Sequence, residues 1–140
     1  MVPKDKKFFI GVKALITNPK GEVLLLKARP YKPSHKFKEY WDLPGGKMTS
    51  NNIRDTLLRE IREETGIDSI KLGVLFGVTV SNIRINNNKD ELFYVVYRCL
   101  LDSKPKVQLS IEHREYKWAS PEDAREMLRS IFPKDFLQRL

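Results

Sequence analysis

The stretch from Gly45 to Ile67, GGKMTSNNIRDTLLREIREETGI, limits what this chain can fold into more than any other part of it. Ile53, Leu57 and Ile61 recur every fourth residue, the spacing of an apolar stripe along one face of an α-helix. Residues 49–52 are all good N-caps, and Gly66 is suited to a left-handed C-cap. The pattern therefore predicts a helix that begins after these polar residues and ends at Gly66.

Three glutamates lie on one side of this predicted helix. Glu60, Glu63 and Glu64 are spaced i, i+3 and i+4, so they share one arc of the helix surface. Like charges at this spacing cost a helix about 0.2–0.5 kcal/mol per pair, and the C-terminal end of the helix dipole also disfavours anions. A solvated acidic face is one interpretation. The other is a cation site, since Glu64 projects close to the apolar stripe and hard divalent ions choose oxygen ligands.

The same residues resemble the signature of the Nudix hydrolase family, G-x5-E-x7-R-E-U-x-E-E-x-G-U, where U is a bulky aliphatic residue. The matching positions are Gly45, Arg59, Glu60, Ile61, Glu63, Glu64, Gly66 and Ile67. Two features depart from the pattern. Asn51 stands where the first glutamate is expected, and the loop that follows the Gly45-Gly46 doublet is about one residue short.

The resemblance implies an α/β fold, a Nudix-like α/β/α sandwich with a mixed β-sheet, and one domain over residues 1–140. It implies an enzyme that hydrolyses the pyrophosphate bond of a nucleoside diphosphate linked to another group, X, with Mg²⁺ or Mn²⁺ as cofactor. Glu60, Glu63 and Glu64 would hold the metal. Arg59 would orient or neutralise these carboxylates, and the backbone at Gly45 and Gly46 would complete the site.

The general base is expected either in the glutamate helix, where Glu63 is the candidate, or in a distant loop. The segment Ile111-Glu112-His113-Arg114-Glu115 resembles a loop common in the second half of family members. Glu112 is the first candidate there and Glu115 the second, while ordinary surface charge remains open for both. His113 is interpreted as structural or exposed rather than catalytic.

Residues 27–38, KARPYKPSHKFK, combine basic and aromatic side chains. Cations suit phosphates and aromatic rings suit bases, so Arg29, Lys32, Lys38 and Tyr31 are candidate substrate-binding residues. Two prolines make this stretch a loop. The chain carries a formal net charge of +8, which attracts polyanions and leaves RNA open as a partner.

Apolar runs and alternating patterns predict strands over 7–17, 22–28, 70–84, 91–101 and 115–119, with a short one at 106–109. The strand at 70–84 is expected to bend at Gly73 or Gly77. Ser120-Pro121-Glu122-Asp123 predicts the start of a second helix. The single cysteine, Cys99, is expected to be a buried strand residue.

We expect a cytoplasmic protein, since no run approaches the roughly 18 apolar residues of a membrane span and no secretory pattern is found. Long apolar strands are compatible with a homodimer.

Residues 81–84 carry neither the proline nor the tyrosine that marks several Nudix subfamilies, so nucleoside triphosphates, including deoxy forms, are the expected small-molecule substrates by elimination. Two alternatives stay open: a non-catalytic nucleotide sensor, suggested by Asn51 and the short loop, and an RNA-end-binding or RNA-end-processing protein.

Overall fold

A computed structural model describes residues 4–28, 39–85 and 89–140. In chain order the elements are β1 (Phe8–Thr17), β2 (Val23–Ala28), β3 (Tyr40–Asp42), β4 (Gly45–Lys47), α1 (Ile53–Thr65), β5 (Lys71–Ile85), β6 (Asp90–Leu100), β7 (His113–Ala119), α2 (Pro121–Met127), a 3-10 turn (Leu128–Ser130) and α3 (Lys134–Leu137).

The sheet is mixed, as the resemblance implied. Its strand order is β3-β2-β1-β6-β5, with β4 paired to β1 and β7 paired to β2. β1 runs parallel to β6 along its whole length, and the other pairs are antiparallel. β1 and β2 form a hairpin and pair where Thr17 meets Val23. Beyond that point β1 pairs with β4 and β2 pairs with β3 and β7, so the two strands diverge.

Helices cover both faces of the sheet, because successive side chains of its central strands point to opposite sides. Leu57 and Ile61 of α1 pack in one core cluster with Val12 and Leu24. Leu128 and Phe132, after α2, pack in a second cluster with Leu15 and Leu25 on the other face. The predicted α/β/α sandwich is confirmed, and the apolar runs of β1 and β2 are buried on both sides.

The local predictions for the helices are confirmed. Asn52 caps α1 by accepting a hydrogen bond from Asp55 N, and Gly66 ends it with φ 75°. Ser120 caps α2 through Asp123 N, with Pro121 in the first position. Cys99 is buried in β6. No helix in the described parts of the chain is long and apolar enough to cross a membrane.

Three details of the strands differ from the sequence prediction or sharpen it. The strand expected at 106–109 is wrong: Gln108 N donates instead to Thr65 O at the end of α1, and Val107 is buried in the cluster beneath that helix. The three-residue strands β3 and β4 were not predicted, since they are too short to show periodicity. The expected irregularity in β5 is confirmed, with register shifts between Leu72 and Leu75 and between Leu75 and Gly77.

Candidate metal and nucleotide site

The three glutamates of helix α1 differ in their exposure to solvent. Leu57 and Ile61 are fully buried against the sheet. Glu64 follows Ile61 on nearly the same face and is only 5% exposed, while Glu60 is half-buried and Glu63 is exposed. The prediction that Glu64 is covered is therefore confirmed, and its carboxylate needs polar partners at that depth.

The glycine doublet lies against two of these carboxylates: Gly45 contacts Glu64 and Gly46 lies next to Glu60. Gly45 N donates to Glu64 Oε2 at 3.0 Å. Gly45 has φ 146°, and a Cβ there would clash with the carbonyl oxygen of Val12. A Cβ on Gly46 would lie 2.7 Å from the carboxyl carbon of Glu60. The absence of a Cβ therefore lets Gly45 pack against the backbone of β1 and lets Gly46 lie against the Glu60 carboxylate of α1.

Arg59 bridges the two more exposed glutamates. Its Nη1 lies 3.3 Å from Glu63 Oε2, and its Nη2 lies 3.4 Å from Glu60 Oε1. Nη2 also lies 3.5 Å from Thr49 Oγ1 in the loop that precedes α1. One guanidinium thus touches both carboxylates and the loop, which is a geometry suited to orienting them.

A buried ion pair that the sequence did not reveal supports the glycine loop from the sheet side. Lys13 Nζ lies 2.9 Å from Asp42 Oδ2, and the two side chains are 8% and 10% exposed. The same ammonium donates to Leu43 O at 3.3 Å and lies 5.2 Å from the centre of the Tyr94 ring. Burial lowers the pKa of Lys13, but the charge and hydrogen bond of Asp42, together with the nearby Tyr94 and Glu64, more than offset burial and raise that pKa above its usual value.

Glu112, which directly precedes β7, and His113, its first residue, join the buried glutamate. One possible ligand atom from each of Glu64, Glu112 and His113 lies within 4.8 Å of the other two. The sequence had indicated Glu112 as the first base candidate, and the structure places it here. It places Glu115 elsewhere, with Oε2 3.5 Å from Lys27 Nζ and the side chain 55% exposed. His113, interpreted from the sequence as structural or exposed, is half-buried among the possible ligands.

The protonation of this cluster follows from its burial. Burial raises the pKa of Glu64 to about 8, although Lys13 and the Gly45 hydrogen bond oppose the shift. Burial also raises the pKa of Glu60, against the lowering effect of Arg59. Burial lowers the pKa of His113, and the charge of Lys13 adds to that effect. Metal ligands must be deprotonated, so a cation bound to Glu64 would displace its proton, whereas the lowered pKa of His113 favours the neutral imidazole that can ligate.

The donor set fits a divalent metal. Glu64 and Glu112 could supply carboxylate oxygens from the cluster with His113, and Glu60 could supply another beside Gly46, where no Cβ fills the space. Carboxylate oxygens are the ligands of Mg²⁺ and Mn²⁺, and imidazole adds one nitrogen donor. Glu63 stands at the edge of this set, paired with Arg59. The candidate substrate residues Arg29, Tyr31, Lys32 and Lys38 lie outside the described residues.

An α/β/α sandwich whose helix glutamates face a glycine loop defines the class: a Nudix-type domain. Comparison with known proteins identifies the family directly, because the model described as "NUDIX domain" matches residues 7–140. The chain belongs to the Nudix family.

Its relatives include several hydrolases. The chain is 29% identical over 100 residues to the mouse bis(5'-nucleosyl)-tetraphosphatase (asymmetrical), an alignment that covers 71% of this chain and 68% of that protein. It is 30% identical over 94 residues to the nucleoside triphosphatase NudI of Escherichia coli O139:H28, covering 62% of this chain and 66% of that protein. The crystal structure of a MutT protein from Methanosarcina mazei Go1 superposes with a TM-score of 0.75 at 32% identity, over 98% of this chain and 95% of that one. The family match and these hydrolases support a nucleotide pyrophosphohydrolase.

Proposed function

We propose that the chain, acting as one Nudix domain, hydrolyses the pyrophosphate bond of a nucleoside diphosphate linked to X, with Mg²⁺ or Mn²⁺. The observation that carries this proposal is the convergence of Glu64, Glu112 and His113 within 4.8 Å of one another. Glu64 is held there by the backbone of the glycine loop. A carboxylate whose pKa is raised by burial, beside two further ligand groups, is a pattern typical of functional sites and supports the proposal.

The residues divide the chemistry between them. Glu60, Glu63 and Glu64 would hold the metal, which would supply charge neutralisation and a lowered pKa for the attacking water. Arg59 positions Glu60 and Glu63 through the contacts described above. The backbone of Gly45 and Gly46 borders the space for the phosphates.

Glu112 is the proposed general base, since it lies in the ligand cluster while being more exposed than Glu64. It would accept a proton from water as that water attacks phosphorus and a phosphate-bearing group leaves. Glu63 remains a candidate for the same role from the helix side. Glu115 is the weakest candidate, because its carboxylate pairs with Lys27.

The proposed substrate is a nucleoside triphosphate. The similarity to a nucleoside triphosphatase supports this choice, as does the lack of subfamily marker residues in 81–84. Lys27 Nζ lies 5.5 Å from the centre of the Trp41 ring, so a cation and an indole lie side by side at the start of the basic aromatic stretch. A dinucleoside polyphosphate is the second candidate, because the mouse relative is a bis(5'-nucleosyl)-tetraphosphatase.

The test is a substrate panel assayed with Mg²⁺ and with Mn²⁺: nucleoside and deoxynucleoside triphosphates, dinucleoside polyphosphates, ADP-ribose and nucleotide sugars, with products separated by chromatography. Glu63→Gln should lower turnover at least about 100-fold if the carboxylate serves the metal or the attacking water. Glu126→Gln is the matched control, since Glu126 is 72% exposed on α2 and pairs with Arg129. It should leave turnover unchanged.

Metal-dependent cleavage that Glu63→Gln abolishes and Glu126→Gln preserves would support the hydrolase and name its substrate. Tight nucleotide binding without cleavage under either metal would favour the sensor. RNA binding that weakens steeply with salt, again without nucleotide cleavage, would favour the RNA alternative.

A further inference from the structure

The pairing of β2 with β7 contains one irregularity, and it lies at His113. From Val23–Ala119 to Lys27–Glu115 the two strands pair without a break, and regular pairing would next place Arg114 opposite Ala28. The register instead shifts, and His113 takes the position opposite Ala28. A bulge of this kind inserts one extra residue and redirects the side chain that follows it.

The shift decides which face of the sheet His113 occupies. Trp118 pairs with Leu24, and both belong to the core cluster beneath α1. Because side chains alternate along a strand, the residue opposite Ala28 belongs to this same face. Regular pairing would have placed the cation of Arg114 there. The bulge places an imidazole there instead, on the side of the sheet where Glu64 lies, and Arg114 pairs with Glu39.

The groups around His113 are those expected around a histidine that binds a metal. A ring nitrogen lies within 4.8 Å of carboxylate oxygens of Glu64 and Glu112. Ser110 Oγ lies 3.5 Å from Nδ1, so a hydroxyl stands beside one ring nitrogen. Ligating histidines commonly have such a partner, which sets the orientation of the ring.

We propose that His113 is a nitrogen ligand of the metal centre, and that the centre binds a divalent transition ion such as Mn²⁺ more tightly than Mg²⁺. This rests on the proposed function only in placing a metal beside Glu64. Mg²⁺ takes oxygen ligands in a strict octahedral arrangement and keeps several waters. Imidazole is a softer donor that adds affinity for transition metals. A histidine ligand among the carboxylates is therefore expected to raise the affinity for Mn²⁺ relative to that for Mg²⁺.

The experiment measures metal binding directly, without substrate. Titration calorimetry gives the affinities for Mn²⁺ and Mg²⁺ at one fixed pH. Pulsed electron paramagnetic resonance of the Mn²⁺-loaded protein detects coupling to a ligating ¹⁴N nucleus. His113→Gln is the test variant. His35→Gln is the matched control, because it removes the other of the two histidines in the chain.

We expect ¹⁴N coupling in the unchanged protein and in His35→Gln, and its loss in His113→Gln. The Mn²⁺ affinity of His113→Gln should fall about 10-fold or more, with a much smaller change for Mg²⁺. Circular dichroism and urea unfolding of each variant establish that it is folded. If His113→Gln does not fold, the spectrum of the unchanged protein still decides, since His35→Gln excludes the other imidazole as the source of the coupling.

An unchanged protein that binds Mn²⁺ without nitrogen coupling would overturn this inference, and so would a His113→Gln protein that keeps the coupling. Either result leaves the hydrolase proposal standing if the panel shows metal-dependent cleavage. Nitrogen coupling in a protein that cleaves no nucleotide would support the ligand and refute the hydrolase.

Discussion

The buried pair between Lys13 and Asp42 allows a sharp test of how the glycine loop is held. The two charged atoms lie 2.9 Å apart, and the side chains are 8% and 10% exposed. Asp42 Oδ1 also accepts a hydrogen bond from Leu43 N at 2.7 Å. Asp42→Asn keeps the shape and that acceptor but removes the negative charge. The Lys13 ammonium would then stay buried beside a carbonyl oxygen, the Tyr94 ring and the Glu64 carboxyl, without its direct ion-pair partner.

Removing one partner of a buried ion pair costs about 3–5 kcal/mol, because the other charge is left uncompensated. With a urea m-value of about 2 kcal/mol per M, the unfolding midpoint of Asp42→Asn should fall by about 2 M. The assay is equilibrium urea unfolding followed by circular dichroism at neutral pH. The double variant Lys13→Met/Asp42→Asn should recover part of the loss, since it no longer buries a cation.

A surface pair provides the control. Lys104 Nζ lies 3.2 Å from Glu22 Oε1, with side chains 46% and 28% exposed. Glu22→Gln should leave the urea midpoint nearly unchanged, because exposed ion pairs contribute little to stability. If Asp42→Asn costs no more than this control, or if the double variant is less stable than Asp42→Asn alone, the buried pair does not hold the structure as argued.

Three further predictions concern the site and its supporting helix. In the metal-free protein the pKa of Glu64 is raised to about 8, so the folded state retains a proton that the unfolded state loses near pH 4.5. The free energy of unfolding should therefore fall as pH rises from about 5 to 8, by at most about 1.4 kcal/mol per pH unit. Glu64→Gln should remove this contribution, which is measured by thermal unfolding at a series of pH values. Gly46→Ala should weaken Mn²⁺ binding at least about 10-fold by calorimetry, because its Cβ would lie 2.7 Å from the Glu60 carboxyl carbon; an unchanged affinity would show that the loop can move aside. Ile61→Ala should lower the free energy of unfolding by about 2–5 kcal/mol, since the side chain is fully buried against the sheet; a loss below about 1 kcal/mol would contradict the packing of α1.

Much of the fold could be predicted from local patterns. The stripe of Leu57 and Ile61, with its caps at Asn52 and Gly66, predicted α1. Runs or alternations of apolar residues predicted the five longer strands, because the backbone of a strand turns successive side chains to opposite faces and a strand covered on both faces is apolar throughout. The covered position of Glu64 followed from the same helical geometry.

The errors share one physical cause. Val107 was expected in a strand, but it is buried beneath α1 while the backbone of Gln108 bonds to the helix end. β3 and β4 have three residues each, so their pairing rests on neighbouring strands rather than on any pattern of their own. Where tertiary contacts supply the hydrogen bonds, local propensity does not decide the structure.

The sequence by itself determined the helix that carries Glu60, Glu63 and Glu64, because short-range periodicity and capping are written in adjacent residues. Only the tertiary structure decided what meets those carboxylates. Glu112 and His113 join Glu64 across the fold, and the choice of His113 over Arg114 depends on one extra residue in the β2–β7 pairing. Lys13 meets Asp42 in the same way, across 29 positions of the chain. Strand register depends on hydrogen bonds between distant segments, and a shift of one residue exchanges the two faces of a strand.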